Sequence, residues 1–172
     1  ACGIDVTSID RDSQQAAENP CTRGGYCSFD IIQEELLSTT ITQKFDMISC
    51  ISVLEHNPLS IQVIEKMSSM LNSNGVILLT FPYNEMTYIP NAYKLPGAGY
   101  GMNEPDTNIC QMYSRVQIDE WMVKYNLGLV DQEFWQAFTG EYWTYGKRLW
   151  PPVRVTEDDL HHLTCLTLKN IK

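Results

Sequence analysis

The sequence contains no long apolar run. None of its hydrophobic stretches approaches the roughly 18 residues that a membrane-spanning helix needs. The N-terminal stretch ACGIDVTSID has neither the basic start nor the long apolar segment of a secretory signal peptide. We therefore expect no membrane partner and no secretory route for this chain.

Clustered basic residues are also scarce. Lysine and arginine number 12 against 21 aspartates and glutamates, which gives a net charge of −9 and a pI of about 4.7. A surface that follows a phosphate backbone needs grouped cations, and the closest approach to such a group is Lys147–Arg148. We therefore expect no nucleic-acid partner. An acidic surface suits cationic or neutral small molecules, although it more commonly serves only solubility.

Paired cysteines are absent. The six cysteines form no CxxC motif, which argues against a zinc site. Several of them lie in apolar, strand-like runs, where free cysteine behaves as a small buried hydrophobic residue. A disulfide framework is not expected in a chain of 172 residues, so a reducing cytoplasm is the expected location.

The sequence has the composition and the hydrophobic patterning of a globular domain. Its 172 residues are 44% hydrophobic, which is enough for one domain, residues 1–172, with a core of its own. Apolar runs bounded by polar clusters predict strands; in chain order they are IDVTSID, YCSFDII, FDMISCISVL, VILLTF, LGLVDQEFWQAF and HLTCLTLK. The third run has few polar positions and is predicted to be covered on both faces.

Helical patterns lie between most of these strands. DSQQAAEN and the apolar spacing of residues 61–71 each predict a helix. Asn57 is predicted to cap the second of these, followed by a proline, with Gly75 free to take a positive φ after it. Ser114 and Gln117 form a capping box before a further helix. The alternation predicts a parallel, doubly wound α/β sheet with an antiparallel edge pair at the end of the chain.

Three segments, taken in order, resemble class I S-adenosylmethionine (SAM)-dependent methyltransferases of the small-molecule type, in particular the ubiquinone-biosynthesis O-methyltransferases. VTSID is similar to the second strand of that fold, FDMISCISVLEHNP to its fourth strand and the following turn, and MLNSNGVILLTFP to its LLxPGGxLxxxxP segment. YSRVQIDEWMVKYNLGLVDQE fits the helix and strand that follow. The resemblance implies a Rossmann-like methyltransferase fold over nearly the whole chain.

The Gly-rich G-x-G-x-G loop after the family's first strand has no counterpart here. Gly24–Cys27 precedes a predicted strand, and Gly97–Gly101 lies in a long loop. By the resemblance, the sequence starts at the second strand and is N-terminally truncated, which would leave two strand edges exposed. We expect that a missing N-terminal segment or a partner chain completes the sheet, or that the domain has lost methylation and kept the scaffold.

The resemblance also assigns residues to SAM, the expected cofactor. Asp10, at the end of the first predicted strand, corresponds to the acid that binds both ribose hydroxyls. Arg11 is expected to cover one face of the adenine. The alternative that it is only a solvated surface arginine is nearly as well supported. Asp30, after the YCSF strand, corresponds to the acid that takes the adenine amino group, and Ile31 is expected to pack against the ring.

An acid–imidazole pair, Glu55–His56, follows the third predicted strand. In the resembling fold, ligands bind beyond the carboxyl ends of the strands, where Cys50 and Ile51 would contact the methionine part of SAM. For Glu55 we favour an acid at a helix start. His56 is explained equally well by a helix entry and by a catalytic base that takes a substrate proton. Some relatives bind a metal through E-x-x-E-H; Ser52 stands at the first of these positions here, so no metal is predicted.

The function implied by the resemblance is methyl transfer from SAM to an oxygen or nitrogen of a small-molecule acceptor. This chemistry mainly requires alignment of the reactants and exclusion of water. The alternative is a non-catalytic, methyltransferase-like subunit or scaffold that binds a protein partner. A third hypothesis, another nucleotide-containing cofactor on Asp10, lacks a phosphate-binding loop in this sequence.

Aromatic residues are concentrated between residues 134 and 150. Strand alternation explains the first of them as core packing, whereas those in residues 142–150 lie in a predicted loop that has to bury them. A second long loop, residues 83–113, leaves a strand end near the expected methyl group. We predict that the two loops meet over the active site and form an aromatic acceptor pocket with Tyr83 and Trp143 in its walls. The alternative is a satellite core away from the site.

Overall fold

The computed structural model describes residues 5–11, 30–99 and 108–172, without the side chains of Asp30 and Ile31. The chain forms two compact units, Ala1–Thr42 and Gln43–Lys172. The single domain that the sequence predicts over residues 1–172 stays a prediction.

The first unit contains a short parallel strand pair. β1 (Thr7–Ile9) pairs with β2 (Asp30–Ile32), and a 3-10 turn, Leu36–Ser38, follows. The Asp10 N–H donates to Ile32 O at 3.1 Å, which extends the pairing beyond β1. Both strands lie within segments that the sequence predicts as strands. The predicted helix DSQQAAEN and the YCSF part of the second segment lie outside the described residues.

The second unit is a mixed five-stranded sheet with two helices. In chain order it contains β3 (Phe45–Ile51), a 3-10 turn (Leu54–His56), α1 (Ser60–Ser69), β4 (Leu71–Pro82), a 3-10 turn (Ala92–Lys94), α2 (Arg115–Tyr125), β5 (Leu127–Phe138), β6 (Arg148–Val155) and β7 (Leu163–Asn170). The strand order is β3-β4-β7-β5-β6, with β3 parallel to β4 and the other neighbours antiparallel. The predicted α/β class and the antiparallel strands at the end of the chain are confirmed.

The last strands differ from the prediction in their position. β7 pairs with β4 on one side and with β5 on the other, so it lies inside the sheet, and β6 is the edge strand. β6 contains Trp150 and Pro151–Pro152, where the sequence predicts a loop. That prediction is wrong because prolines, which normally signal a turn, are tolerated on an edge strand whose outward N–H groups are not needed for the ladder.

β3 is less buried than its sequence suggests. It is an edge strand of the described sheet, and none of its residues is fully buried; Met47 and Ile51 are each 54% exposed. The prediction that it is covered on both faces is therefore wrong for the part of the chain that the structure describes. An apolar strand with a free edge is a template for pairing with a further strand.

The core of the second unit lies between the sheet and the two helices. Its side chains recur at helical spacing on α1 and α2 and at alternate positions on β4; among them are Val63, Ile64, Met67, Ile118, Trp121, Ile77, Leu79 and Phe81. The rings of Phe81, Tyr113 and Trp121 meet edge to face, with centroids 4.9 to 5.8 Å apart. This packing fixes Tyr113 and α2 against the end of β4. Within the described residues, no helix has the length and apolar character needed to cross a membrane.

The ends of α1 lie away from their predicted positions. The helix begins at Ser60 rather than at the predicted proline, and Asn57 Oδ1 accepts the Leu59 N–H at 2.8 Å in a turn before it. After the helix, Asn74 takes a positive φ of 65° in place of Gly75. Asparagine tolerates the left-handed region better than other residues with a side chain. Gly75 is required for space instead, because a Cβ there would lie 3.0 Å from Phe45 O and 3.1 Å from Asn72 O.

The capping box at α2 is confirmed. The N–H and the hydroxyl of Ser114 both donate to Gln117 Oε1, at 3.1 and 2.7 Å. Ser114 is buried, so water does not replace these bonds readily when they are lost.

Replacement of Ser114 by alanine should lower the free energy of unfolding by about 1 kcal/mol, because the start of α2 loses its cap. Urea unfolding followed by circular dichroism measures the change. Ser69→Ala, at an exposed position in the last turn of α1, is the matched control and should change stability by less than about 0.5 kcal/mol. Equal losses in the two variants would contradict a specific role for the cap.

Candidate functional site

The chain turns sharply where β3 ends. Ser52 has a φ of 50°, and its N–H donates to both the carbonyl and the hydroxyl of Thr80, each at 3.0 Å. A left-handed conformation is uncommon for residues other than glycine and asparagine. The turn leads to Leu54 and Glu55, which are both buried.

Glu55 is a buried carboxylate. The residue is 3% exposed, and Oε2 has no hydrogen-bond partner among the residues that the structure describes. Burial raises the pKa of Glu55 above its usual value, while a hydrogen bond from its own backbone and the neighbouring His56 oppose this shift. Glu55 lies in the first turn of the short 3-10 helix Leu54–His56, so the acid stands at the start of that helix and not at the start of α1, which begins at Ser60.

His56 lies beside this carboxylate but reaches solvent. Its side chain is 49% exposed, and Nε2 lies 3.9 Å from Glu55 Oε1. The Ile109 carbonyl lies 2.7 Å from Nδ1; because a carbonyl only accepts, Nδ1 carries the proton in this bond. In the neutral imidazole, Nε2 is then an acceptor that can take a proton from a bound molecule.

Two thiols lie near the Glu55 carboxylate. Burial, with a further contribution from the Glu55 charge, raises the pKa of Cys50 to about 11 and that of Cys110 to about 12. Both thiols are therefore protonated near neutral pH and are poor nucleophiles. The described residues contain no group of three or more His, Cys, Asp and Glu side chains that could hold a metal ion.

The two long loops contact each other, as the sequence predicts. The Gly99 N–H donates to Thr144 O at 2.9 Å, and the Tyr145 hydroxyl donates to Pro96 O. The contact between the loops is confirmed by these bonds. The acceptor pocket that the loops are predicted to form over an active site stays a prediction.

Trp143 connects this contact to the thiol beside Glu55. Its ring packs edge to face on Phe138, with centroids 5.0 Å apart, and a hydrogen bond from Trp143 moderates the rise in the Cys110 pKa. The next residue, Thr144, is 1% exposed and has a φ of 73°. Its Oγ1 has no partner among the described residues. A β-branched residue in this region of φ stores strain, which is common in ligand-binding segments.

Tyr83 is fully buried rather than open to a ligand. Its hydroxyl donates to Glu85 Oε2 at 2.6 Å, and its ring stacks on His161 with centroids 5.6 Å apart. Burial alone would raise the pKa of Glu85, but the bonds from Tyr83 and from Arg115, at 3.1 Å, outweigh it and lower the pKa. Tyr83 therefore belongs to a packed polar cluster, and its predicted place in the acceptor pocket wall stays a prediction.

The residues predicted to bind SAM lie in both units. In the first unit, Asp10 follows β1, and Arg11 is exposed with Nη1 3.6 Å from Glu35 Oε1. Asp30 and Ile31 belong to β2, with Asp30 at its first position opposite Thr7, whereas the sequence places Asp30 after a strand. In the second unit, two residues predicted to contact the methionine part, Cys50 and Ile51, close β3. Their assignment to SAM stays a prediction.

Sequence reasoning missed the burial of Glu55 and the ring contacts of His161. The apolar residues before Glu55 are no reliable signal of its burial, because Ile51 and Val53 are more than half exposed and only Leu54 is buried. His161 packs between Tyr83 and Phe134, and nothing in its local sequence indicates this, because Tyr83 follows β4 and Phe134 lies on β5, both distant in sequence.

Comparison with known proteins finds one matching family and several solved structures of similar fold. Residues 1–132 match the family described as "Methyltransferase domain", and no curated protein matches the sequence. Among solved structures, the N-methyltransferase NodS from Bradyrhizobium japonicum WM9, in complex with S-adenosyl-L-homocysteine, is 14% identical with a TM-score of 0.57. The 1,6-didemethyltoxoflavin-N1-methyltransferase from Burkholderia thailandensis is 12% identical with a TM-score of 0.62. A SAM-dependent methyltransferase from Clostridium acetobutylicum ATCC 824 is 12% identical with a TM-score of 0.59.

These structures are longer than this chain. The matches cover 98%, 99% and 96% of this chain, and 67%, 63% and 75% of the three solved chains in the same order. At such low identities the likeness shows the fold.

Glu55→Gln should stabilise the folded protein at neutral and higher pH. Because the folded state raises the Glu55 pKa, the stability from this group is complete below the unfolded pKa and is lost as the pH rises through the folded value. The glutamine variant mimics the protonated acid. Its melting temperature should match the wild type at about pH 4 and exceed it by about 3 °C or more at about pH 8.

Thermal unfolding followed by circular dichroism over this pH range measures the difference. Glu120→Gln, at an exposed position on α2, is the matched control and should track the wild type at every pH. A parallel pH dependence of wild type and Glu55→Gln would show that Glu55 is not an uncompensated buried acid.

Proposed function

The chain belongs to the methyltransferase-domain family and has the class I, SAM-dependent methyltransferase fold, and from this premise we propose that it transfers the methyl group of SAM to an oxygen or nitrogen of a small-molecule acceptor. The observation that carries the proposal is the His56 imidazole beyond the end of β3. Its Nε2 is free to accept a proton, and its side chain is half exposed. The carboxyl ends of parallel strands are where this class of fold binds ligands.

The cofactor side of the proposal rests on residues at the strand ends. SAM supplies a methyl group already activated on a sulfonium. Asp10, directly after β1, is proposed to accept hydrogen bonds from two ribose hydroxyls. Ile51, which is exposed at the end of β3, is proposed to contact the methionine part of SAM. The ion pair of Arg11 with Glu35 joins two exposed side chains; such pairs are weak, so it does not prevent Arg11 from covering an adenine.

Asp30 and Ile31 remain part of the proposal with less support. Asp30 opens β2, so its backbone lies at the amino end of the described strand. An acid that binds the adenine amino group is expected beyond the carboxyl end. The proposal for SAM therefore depends more on Asp10 than on Asp30.

On the acceptor side, His56 is proposed as the base. A hydroxyl or ammonium acceptor has to lose a proton before or during attack on the methyl carbon. His56 Nε2 takes this proton, and because the ring is half exposed, the proton can pass on to water. Trp143, in the loop that contacts residues 96–99, is proposed to bind the apolar part of the acceptor.

The free edge of β3 supports completion of the sheet by a further strand. Within the described residues β3 pairs only with β4, and its exposed apolar side chains include Met47 and Ile51. We propose that an N-terminal segment or a partner chain supplies this strand. Calorimetry with SAM, on this chain alone and with an upstream extension, tests whether the added strand is needed for binding. Absence of SAM binding by both the chain alone and the extended chain would contradict the proposed function.

Asp10→Asn should weaken SAM binding by about 10- to 100-fold, because hydrogen bonds to a charged acceptor contribute more than those to a neutral amide. Isothermal titration calorimetry measures the affinity. Asp5→Asn, at an exposed position before β1, is the matched control and should bind SAM like the wild type. Unchanged affinity in both variants would remove Asp10 from the cofactor site.

Trp143→Ala should raise the acceptor KM by about 10-fold while SAM affinity stays the same, because the loss of a large apolar contact is worth on the order of 1.4 kcal/mol or more. Steady-state kinetics with acceptor and SAM varied in turn gives both values. Trp150→Ala removes an indole that is 81% exposed on β6 and should leave both unchanged. Lower stability with an unchanged acceptor KM would show that Trp143 belongs to a satellite core instead.

A further inference from the structure

The Glu55 carboxylate is buried without a fixed cation. The charged and titratable groups that act on it are Cys50 from β3, His56 from its own turn, and Cys110 and Tyr113 from the segment before α2. Among the described residues no lysine or arginine forms an ion pair with it. A buried charge is costly unless it is paired and hydrogen-bonded, so the site formed by the described residues is incomplete.

None of these neighbours supplies a cation or a hydrogen-bond donor to the Glu55 Oε2 atom. The Tyr113 hydroxyl already donates to Leu54 O at 3.1 Å, and burial keeps the Cys50 and Cys110 thiols protonated and uncharged. His56 Nε2 lies 3.9 Å from Oε1, beyond hydrogen-bond distance. Oε2 has no partner at all among the described residues. What is missing is a group that brings both a positive charge and N–H donors.

We propose that the acceptor is an amine, and that Glu55 Oε2 binds its ammonium group beside His56. The inference rests on the proposed function and names the class of acceptor at the same site. A protonated amine carries up to three donors and a charge opposite to that of the carboxylate. A hydroxyl acceptor offers one donor and leaves the buried charge uncompensated, so Glu55 selects against it.

The reaction balances with the groups present. The bound ammonium gives one proton to His56 Nε2 and becomes a neutral amine with a free electron pair. That pair forms a bond to the methyl carbon of SAM, and the carbon–sulfur bond breaks with its electrons staying on sulfur. The product is an N-methylammonium and the neutral thioether of SAM. Glu55 stays ionised and faces a cation before and after transfer, while the His56 proton leaves to solvent.

Matched amines and alcohols test the inference with the full chain. Methyl-labelled SAM is offered with pairs that differ only in the reacting group, from short aliphatic pairs to 2-phenylethylamine and 2-phenylethanol. Label should enter one or more amines and no alcohol. Glu55→Gln should lower transfer to the amine by about 30-fold or more, as expected when one partner of a buried charge pair is removed. Glu120→Gln is the matched control and should keep wild-type transfer.

A binding measurement separates this inference from the proposed function. Calorimetry of the best amine, with S-adenosylhomocysteine present, should show affinity for the wild type that Glu55→Gln loses, while both proteins bind SAM equally. Label in alcohols, label in no acceptor despite SAM binding, or equal transfer by Glu55→Gln would each overturn the amine assignment. Absence of SAM binding by the wild type would instead overturn the proposed function. Equal SAM affinity also shows that the variant has folded.

Discussion

The burial of one carboxylate constrains the rest of the proposed site. Glu55 is held by its backbone on both sides: the Gln111 N–H donates to Glu55 O at 2.8 Å, and the Tyr113 hydroxyl donates to Leu54 O at 3.1 Å. The Gln111 side chain also donates to Asn57 O at 2.8 Å. These bonds fix the backbone of the turn after β3 and so set the direction in which the Glu55 side chain leaves it. An unpaired buried carboxylate in a fixed position favours the binding of a cation over that of a neutral molecule.

The segment that carries Trp143 is anchored by a second buried group. His162 Nδ1 accepts the Ala137 N–H at 3.3 Å, and Nε2 donates to Gly140 O at 2.7 Å. This pattern requires the neutral imidazole, and burial lowers the His162 pKa accordingly, with the Gly140 bond opposing the shift. Strand β5 and the start of the aromatic loop are thereby joined to β7. The loop therefore presents Trp143 and the strained Thr144 from a rigid base.

The sequence predicted features that depend on local chemistry. The strand runs, the α/β class and the Ser114 capping box all follow from periodicity and cap residues, and each predicted strand run contains a strand in the part of it that the structure describes. The insertion of β7 between β4 and β5 was not predictable in this way, because strand order depends on long-range pairing. The edge strand β6 was not predicted, because its prolines indicate a loop. The burial of Glu55 depends on the left-handed turn at Ser52. The sequence does not predict this turn, because serine rarely adopts a left-handed conformation.

The central claim is that Glu55 is an ionisable anchor for a cationic acceptor, and carbon-detected NMR of its side-chain carboxyl tests it most directly. Glu55→Gln identifies the resonance by its loss. In the free protein the carboxyl should titrate with a raised pKa, as its burial requires. With S-adenosylhomocysteine and a bound amine present, the pKa should fall by about one unit or more, because a paired cation favours the ionised form. A Glu55 pKa that is normal in the free protein, or that stays unchanged when the amine binds, would contradict the account.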